Sequence, residues 1–286
     1  MRDYLRLTKP TILLLVAITG AAGLVLESSL THQPVRFLLV LLGLMLAGGS
    51  ANAFNMYFER EIDARMSRTK TRRPLPMGRI TPRHALYFAI AIGIAGVALF
   101  TFYFNLFSGL LASGTIAFYA FFYTLWLKPN TPYNIVIGGA AGSMGPVIAW
   151  AAATGSLSLA PLLLFLIIFL WTPPHFWALA LHFKDDYRAA GLPMMPVVRG
   201  DKATKRQIII YAIAVVVLSL TLKAVGAGLV YFLAAIALGI IFIFKSVKIN
   251  LGAPRRSAMS AFTYSIIYLL LLFTLLMVDA AWNVRL

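Results

Sequence analysis

A stripe of polar residues near position 55 is the strongest chemical signal in this sequence. Four side chains follow one another at spacings of three, four and four residues: Asn52, Asn55, Glu59 and Asp63. Because residues three or four apart share a face of an α-helix, these side chains should line up. Two carboxylates and an amide oxygen suit Mg²⁺, a hard cation that often shares its oxygen ligands with bound phosphates. The stripe therefore predicts a magnesium site.

Basic residues follow the stripe directly. They are Arg65, Arg68, Lys70, Arg72 and Arg73. Guanidinium groups can bind phosphate oxygens in pairs, so this segment is suited to a phosphorylated ligand. A solvated helix end with simple ion pairs is the alternative. Since part of the stripe lies inside an apolar run, where polar groups are costly and usually functional, we favour the ligand site.

A second acidic cluster lies more than a hundred residues further on. Asp185 and Asp186 are adjacent, with Lys184, Tyr187 and Arg188 beside them. Such a sequence is ordinary for a loop, and by itself it indicates little. If it faced the first cluster across one membrane surface, the two could hold a diphosphate through Mg²⁺.

Long apolar runs must position these clusters. Of the 286 residues 60% are hydrophobic and 12% are charged, and a bilayer-spanning helix needs about 20 mostly apolar residues. The continuous runs exclude a β-barrel, whose strands would alternate. We therefore predict an all-α bundle of about nine transmembrane helices, near residues 11–26, 36–58, 84–103, 107–127, 133–152, 160–182, 207–224, 227–247 and 260–281.

The basic residues are sorted between the two predicted membrane faces. Of the 25 Lys and Arg residues, 22 fall on one side, and the other keeps only Arg36, Lys223 and Arg285. By the positive-inside rule the N-terminus is then cytoplasmic, and so are both acidic clusters. This sorting accounts for the net charge of +16 without a nucleic-acid partner.

The first residues of the chain indicate whether it carries a cleaved targeting signal. Its first ten residues, MRDYLRLTKP, lead into a full-length apolar run without a small-residue cleavage site, so we expect no cleaved signal. We expect a multi-pass protein of the inner (plasma) membrane that forms one domain over residues 1–286. Zero cysteines exclude disulfides and thiolate metal ligands.

Several stretches, together spread over nearly the whole chain, resemble the UbiA superfamily of intramembrane prenyltransferases. Two of them resemble its haem-modifying branch in particular, namely TPPHFWALA and DYRAAG. The chain has Glu59 where the superfamily usually has aspartate, and an adjacent acidic pair where it often spaces two aspartates by four. The matching stretches are the stripe, LTKP at 7–10, RTKTRRPLP at 68–76, TPYNIVIGGAAG at 131–142, WTPPHFWALAL at 171–181 and DDYRAAGLPMMPVV at 185–198.

The resemblance implies that a farnesyl group passes from farnesyl diphosphate to a vinyl group of haem b, with Mg²⁺ as cofactor. It implies catalytic roles for Asn55, Glu59, Asp63 and Asp186, the last three as metal ligands. Transfer to an aromatic quinone precursor is the nearer alternative, and a transporter the more distant one. An interaction with haem A synthase or a terminal oxidase assembly stays open. The implied diphosphate contacts are Lys9, Arg68, Arg72 and Arg73, with Arg72 and Arg73 as alternatives for one position.

The acceptor side is predicted around His175, with Trp177 and Tyr187 as neighbours. His175 precedes Asp186 by 11 residues, or roughly 16 Å along a regular helix, which is about halfway into the hydrocarbon core. Its imidazole could ligate haem iron, guide a water molecule, or bond a backbone carbonyl freed by Pro173 and Pro174. For His182, one turn from Asp186, we expect solvent as the partner.

Overall fold

The computed structural model describes residues 1–250 and 254–283. Within these ranges every regular element is a helix, and nine segments are long and apolar enough to cross a membrane. The all-α prediction is confirmed, while Arg285 lies outside the described residues. The first to ninth spans run Pro10–Glu27, Pro34–Phe58, Pro82–Phe104, Leu106–Asn130, Asn134–Thr154, Leu159–His182, Gly200–Val225, Leu229–Lys248 and Arg255–Trp282.

Short helices precede or connect some of these spans. They matter because they carry Asp63, Arg68 and Asp186. One precedes the first span, two follow the second span, and two follow the sixth: Arg2–Leu7, Arg60–Arg65, Ser67–Lys70, Lys184–Ala189 and Met195–Val198.

Two spans begin earlier than the apolar pattern predicts. The seventh begins at Gly200 rather than 207, and the ninth-span helix runs Pro254–Asn283 rather than from 260. Their first turns carry basic side chains, whose long aliphatic stems can lie along a helix while the charge reaches water. The boundary between the seventh and eighth spans falls at Gly226, whose φ of 102° is a left-handed conformation that favours glycine.

Four spans depart from a single regular α-helix. The seventh ends in a 3₁₀-helical segment, Thr221–Val225. The fifth consists of two helices, Asn134–Gly142 and Gly145–Thr154. The third and fourth include π-helical segments, Leu99–Phe104 and Phe118–Leu127. π-Helical turns rotate the following side chains relative to an α-helix and are frequent at functional sites.

The sixth span lies at the centre of the packing. It contacts the fifth, seventh and ninth spans, and the first span packs against the second, fifth and ninth. A large buried cluster joins these helices through side chains such as Leu164, Trp171, Val215 and Tyr268. The polar residues of the two clusters lie at one end of this apolar core.

Candidate active site

The predicted stripe is intact and buried. Although the second span ends at Phe58, the Glu59 N–H donates to the Asn55 carbonyl at 3.0 Å, and the Asp63 N–H donates to the Glu59 carbonyl at 2.8 Å. These bonds continue the helical repeat across the junction, so the side chains keep one face. Asn55, Glu59 and Asp63 are each 2% exposed. The predicted common face is confirmed.

Two cations neutralise the carboxylates of the stripe. Lys128 pairs with Glu59, while Arg73 pairs with Asp63 and also lies 3.6 Å from Glu59. A buried carboxylate without water or a partner would be strongly unfavourable, so these pairs are needed for the burial. Lys128 comes from the end of the fourth span, and Arg73 from the segment after Ser67–Lys70.

A third cation reaches the stripe from the start of the chain. Lys9 Nζ donates to Asn55 Oδ1 at 2.7 Å, and Asn55 Nδ2 donates to Thr124 Oγ1 at 3.1 Å. Lys9 has a φ of 55° at the break between the helix Arg2–Leu7 and the first span. This left-handed conformation is uncommon for a residue other than glycine, and such strain clusters at functional sites.

Burial and mutual charge perturb these groups. Burial, together with the charge of Arg73, lowers the pKa of Lys9 to about 7, although Glu59 opposes the shift. For Glu59, burial acts to raise the pKa, but Lys128 and Arg73 outweigh it and the net pKa is lowered. Glu59 is therefore held as a carboxylate inside a cationic enclosure.

The second acidic cluster contacts the short helix Ser67–Lys70, which follows the stripe. Ser67 Oγ lies 2.8 and 2.7 Å from the two carboxylate oxygens of Asp186, and the Arg68 N–H donates to the same carboxylate at 3.2 Å. These bonds bring Asp186 against the segment that follows the stripe, and a joint metal–diphosphate site stays a prediction. Asp185 points elsewhere and pairs with Arg188 and Arg255. Asp186 is the member of the pair that contacts the helix Ser67–Lys70.

Arg68 links the loop to the second cluster through an aromatic pair. Its guanidinium lies 5.6 Å from the ring centre of Phe183 and 5.9 Å from that of Tyr187. One guanidinium nitrogen also donates to the Tyr187 hydroxyl at 3.4 Å. Its Nε is buried and has no hydrogen-bond partner in the described part of the chain. Arg68 therefore retains a donor for a ligand.

Arg72 and Arg73, alternatives in the sequence, occupy different environments. Arg73 is largely buried and contacts both carboxylates. Arg72 is exposed and lines a surface pocket of about 420 Å³ with Arg6 and Arg79. Arg73 is the arginine that belongs to the buried cluster.

Sequence reasoning missed two members of this cluster, Lys128 and Thr124. The available signal was a lysine in the last turn of an apolar span, at the face that carries the other basic residues. Their direction, however, depends on the π-helical segment Phe118–Leu127, where Thr124 Oγ1 bonds the carbonyl of Tyr119 at 2.8 Å. An apolar sequence gives no indication of that irregular turn.

The residues predicted for the acceptor side lie apart from one another. His175 stacks on Trp171 at 4.3 Å and on Phe262 at 4.5 Å, and its Nδ1 lies 2.7 Å from the Ser265 hydroxyl. That hydroxyl, rather than a carbonyl freed by the prolines, is its partner. Trp177 is 1% exposed within an apolar cluster. Tyr187 alone adjoins the clusters, so an acceptor role for the other two stays a prediction.

The donor set fits a metal that is shared with a ligand. Among the residues that the structure describes, no group of three or more His, Cys, Asp or Glu side chains could hold a metal ion by itself. Glu59, Asp63 and Asn55 nevertheless offer two carboxylates and an amide oxygen on one buried face. Mg²⁺ is commonly bound by one or two carboxylates, with phosphate oxygens and water completing its shell.

Solved structures with the same fold include UbiA homologues and a synthase. A structure of digeranylgeranylglyceryl phosphate synthase superposes with a TM-score of 0.79 at 20% identity, covering 98% of each chain. A UbiA homologue from Aeropyrum pernix gives 0.73 at 20% identity, covering 91% of this chain and 95% of that one. A homologue from Archaeoglobus fulgidus, bound to GPP and Mg²⁺, gives 0.66 at 19% identity, covering 96% and 99%.

Several curated proteins are more similar to this chain in sequence than these solved structures are. A protoheme IX farnesyltransferase of Gloeobacter violaceus is 48% identical over 283 residues, covering 98% of this chain and 92% of the relative. Proteins of the same name from Microcystis aeruginosa and Symbiobacterium thermophilum are 46% and 44% identical, and the matches cover 98% of this chain and 89% and 94% of the relatives. The model of the UbiA prenyltransferase family matches residues 15–282. The chain belongs to the UbiA prenyltransferase family.

Proposed function

We propose that this chain, acting as one membrane domain over residues 1–286, transfers a farnesyl group from farnesyl diphosphate to a vinyl group of haem b. The names and full-length coverage of its relatives support this activity. The observation that carries the proposal is the buried cluster in which Lys128 and Arg73 pair with Glu59 and Asp63 while Lys9 donates to Asn55 beside them. Three cations from distant segments converge there.

The cluster is suited to exchange partners when a diphosphate binds. Lys9, Arg73 and Lys128 carry their charges on long side chains, so they can turn from the protein oxygens to phosphate oxygens. Arg68, with its unpartnered Nε, is a further donor. Glu59, Asp63 and Asp186 would hold Mg²⁺ together with the diphosphate, and bound Mg²⁺ would neutralise part of the leaving group's charge.

Transfer of the farnesyl group then requires departure of the diphosphate and a site from which water is excluded. The allylic C–O bond of farnesyl diphosphate breaks, and the diphosphate leaves with the electron pair. The vinyl π electrons of haem form the new C–C bond, after which water adds to the resulting cation and loses a proton. Lys9, Arg73 and Lys128 stabilise the charge that develops on the diphosphate, and this kind of electrostatic stabilisation is usually a large catalytic contribution. Their burial keeps water from the cation before transfer.

The decisive experiment compares haem extracted from host membranes with and without this chain. The host should make haem b but no haem O. We expect a new, more hydrophobic haem that appears only with the chain and requires farnesyl diphosphate. In purified protein its formation should stop when Mg²⁺ is chelated and resume when Mg²⁺ is restored. Prenylation of 4-hydroxybenzoate without any change in haem would refute the proposal.

The proposed location is the inner membrane, with the active site at the cytoplasmic face. The absence of cysteine makes single-cysteine labelling clean. We expect Lys70→Cys and Lys202→Cys to be labelled from the cytoplasm, and Leu157→Cys, in the loop between the fifth and sixth spans, from the other side. Labelling of all three from one side would contradict this topology.

We also propose that the product is delivered to haem A synthase or to a terminal oxidase assembly. This delivery predicts that the chain co-purifies with one of them.

A further inference from the structure

A groove of about 660 Å³ lies outside the cluster described above, between the ends of the sixth and eighth spans and the start of the ninth. Its volume is in the range of small-molecule sites. Residues of four kinds line it: cations, a histidine, two hydroxyl side chains (Ser260 and Thr263), and apolar or aromatic side chains. They include Lys245, Arg255, Arg256, His182, Met259 and Tyr264.

The charges of the groove are concentrated at one end. Lys245 donates to Ser260 at 3.1 Å, and neither Lys245 nor Arg256 forms an ion pair with a carboxylate within residues 1–250 and 254–283. Arg255 pairs with Asp185. That pair connects the groove to the helix Lys184–Ala189, which carries Asp186. Two cations are therefore available for acidic groups of a ligand.

The rest of the groove becomes apolar along the ninth span. Ile267, the lining residue of that helix farthest from its start, follows Arg255 by 12 residues, which corresponds to about 18 Å at 1.5 Å per residue. Met259 and Tyr264 lie between them. A matching ligand has acidic groups at one edge and a broad apolar body that reaches toward the hydrocarbon.

His182 gives the groove a potential metal ligand, which an ordinary lipid would not use. Its Nδ1 lies 3.0 Å from the Arg255 carbonyl oxygen. Because a carbonyl can only accept, Nδ1 must carry the proton, and in the neutral ring the lone pair is on Nε2. Histidines that ligate metals characteristically donate the other ring nitrogen to a carbonyl or carboxylate in this way. His182 is thus prepared as a metal ligand in a groove suited to an amphiphilic acid.

We infer that this groove is the docking site for the haem acceptor, an inference that rests on the proposed function. The two propionates contact Lys245 and Arg256, the porphyrin lies along Met259 and Tyr264, and Nε2 of His182 faces the iron. An anionic phospholipid could use the same cations, but it would not require the imidazole. His175 is the histidine predicted from the sequence to face the acceptor. Its imidazole instead stacks on the rings of Trp171 and Phe262, at ring-centre distances of 4.3 and 4.5 Å.

The test titrates ferric haem into purified protein in phosphatidylcholine nanodiscs, without farnesyl diphosphate. We expect His182→Ala and His182→Gln both to shift the Soret band, the second while keeping a donor for the Arg255 carbonyl. Arg256→Gln should weaken binding roughly tenfold, as expected for a lost charged hydrogen bond. The matched controls are His84→Ala and Arg83→Gln, both exposed at the start of the third span, and neither should change the titration.

A second ligand separates the propionate contacts from general effects on folding. Haem dimethyl ester lacks the two acidic groups, so its affinity should be the same for the wild type and Arg256→Gln. The inference is overturned if the His182 variants keep the wild-type spectrum, or if Arg256→Gln alters binding of phosphatidylglycerol but not of haem. In either case a wild type that still forms haem O leaves the proposed function intact. A wild type that forms no haem O would instead refute that function.

Discussion

Buried carboxylates occur in two regions of this molecule, and they are satisfied in different ways. Glu59 and Asp63, near the end of the second span, and Asp279, in the ninth, are each 2% exposed. Lys128 and Arg73 pair with the first two. The partners of Asp279 include two backbone N–H groups at the start of the eighth span, those of Gly228 and Tyr231, from which it accepts hydrogen bonds.

The side-chain cations at Glu59 and Asp63 can be replaced as partners, whereas the backbone N–H groups at Asp279 cannot. Backbone N–H groups at a helix start are fixed by the helix and favour a carboxylate there. Asp279 therefore caps the eighth span and stabilises the fold. The cations at Glu59 and Asp63 are on flexible side chains and can turn to a ligand without unfolding a helix. The same degree of burial thus accompanies a helix cap in one region and the proposed ligand site in the other.

The largest expected effect is that of Asp63→Ala. It removes a proposed metal ligand and the partner of Arg73, so turnover should fall by about 10³-fold or more. Haem O formation in membranes with matched amounts of protein measures this effect. Because Glu59 lies 3.6 Å from Arg73, the arginine keeps a carboxylate nearby and the protein should remain in the membrane. Wild-type activity in this variant would refute the proposed site.

Lys128→Ala should have the next largest effect. The lysine contacts Glu59 and is proposed to move to the diphosphate, so kcat/KM for farnesyl diphosphate should fall about tenfold to a hundredfold. Lys128→Arg keeps the charge and should recover part of the loss. Lys70→Ala, at an exposed lysine on the loop after the second span, is the matched control. Equal losses in the alanine and arginine variants would indicate packing rather than charge.

Glu59→Asp should reduce activity only about tenfold, because a shorter carboxylate keeps the ligand chemistry but meets the metal less well. Aspartate is also usual here in the superfamily that the sequence resembles. Glu59→Gln removes the charge and should be as inactive as Asp63→Ala. The comparison is made on initial rates at saturating Mg²⁺. If the glutamine variant were as active as the aspartate variant, the carboxylate would not be a ligand.

Asp279→Ala should have the smallest effect on activity and a clear one on stability. It leaves N–H groups of Gly228 and Tyr231 without their carboxylate acceptor, at a cost of about 1–3 kcal/mol each. We expect Tm in detergent to fall by about 5 °C or more, while kcat per folded molecule stays at the wild-type value. A loss of activity at unchanged Tm would mean that the two regions are not distinct in the way described.

The sequence alone determined the architecture and the acidic stripe. Runs of about 20 apolar residues specify spanning helices because a bilayer leaves backbone groups no other partners. Spacings of three and four residues placed Asn55, Glu59 and Asp63 on one face, and the structure retains that arrangement. Both results follow from local geometry, in which each residue's position is set by its neighbours in the chain.

Only the tertiary structure decided which cation meets which carboxylate. Lys128 is 69 residues from Glu59, and its direction depends on π-helical turns that the apolar sequence does not reveal. The partners of His175 and His182 were likewise decided by the tertiary structure. His175 is held between aromatic rings from two spans, whereas His182, expected to be solvated, has a backbone carbonyl of the ninth span as its partner. Such pairings arise from the packing of helices distant in sequence, so spacing along the chain contains no information about them.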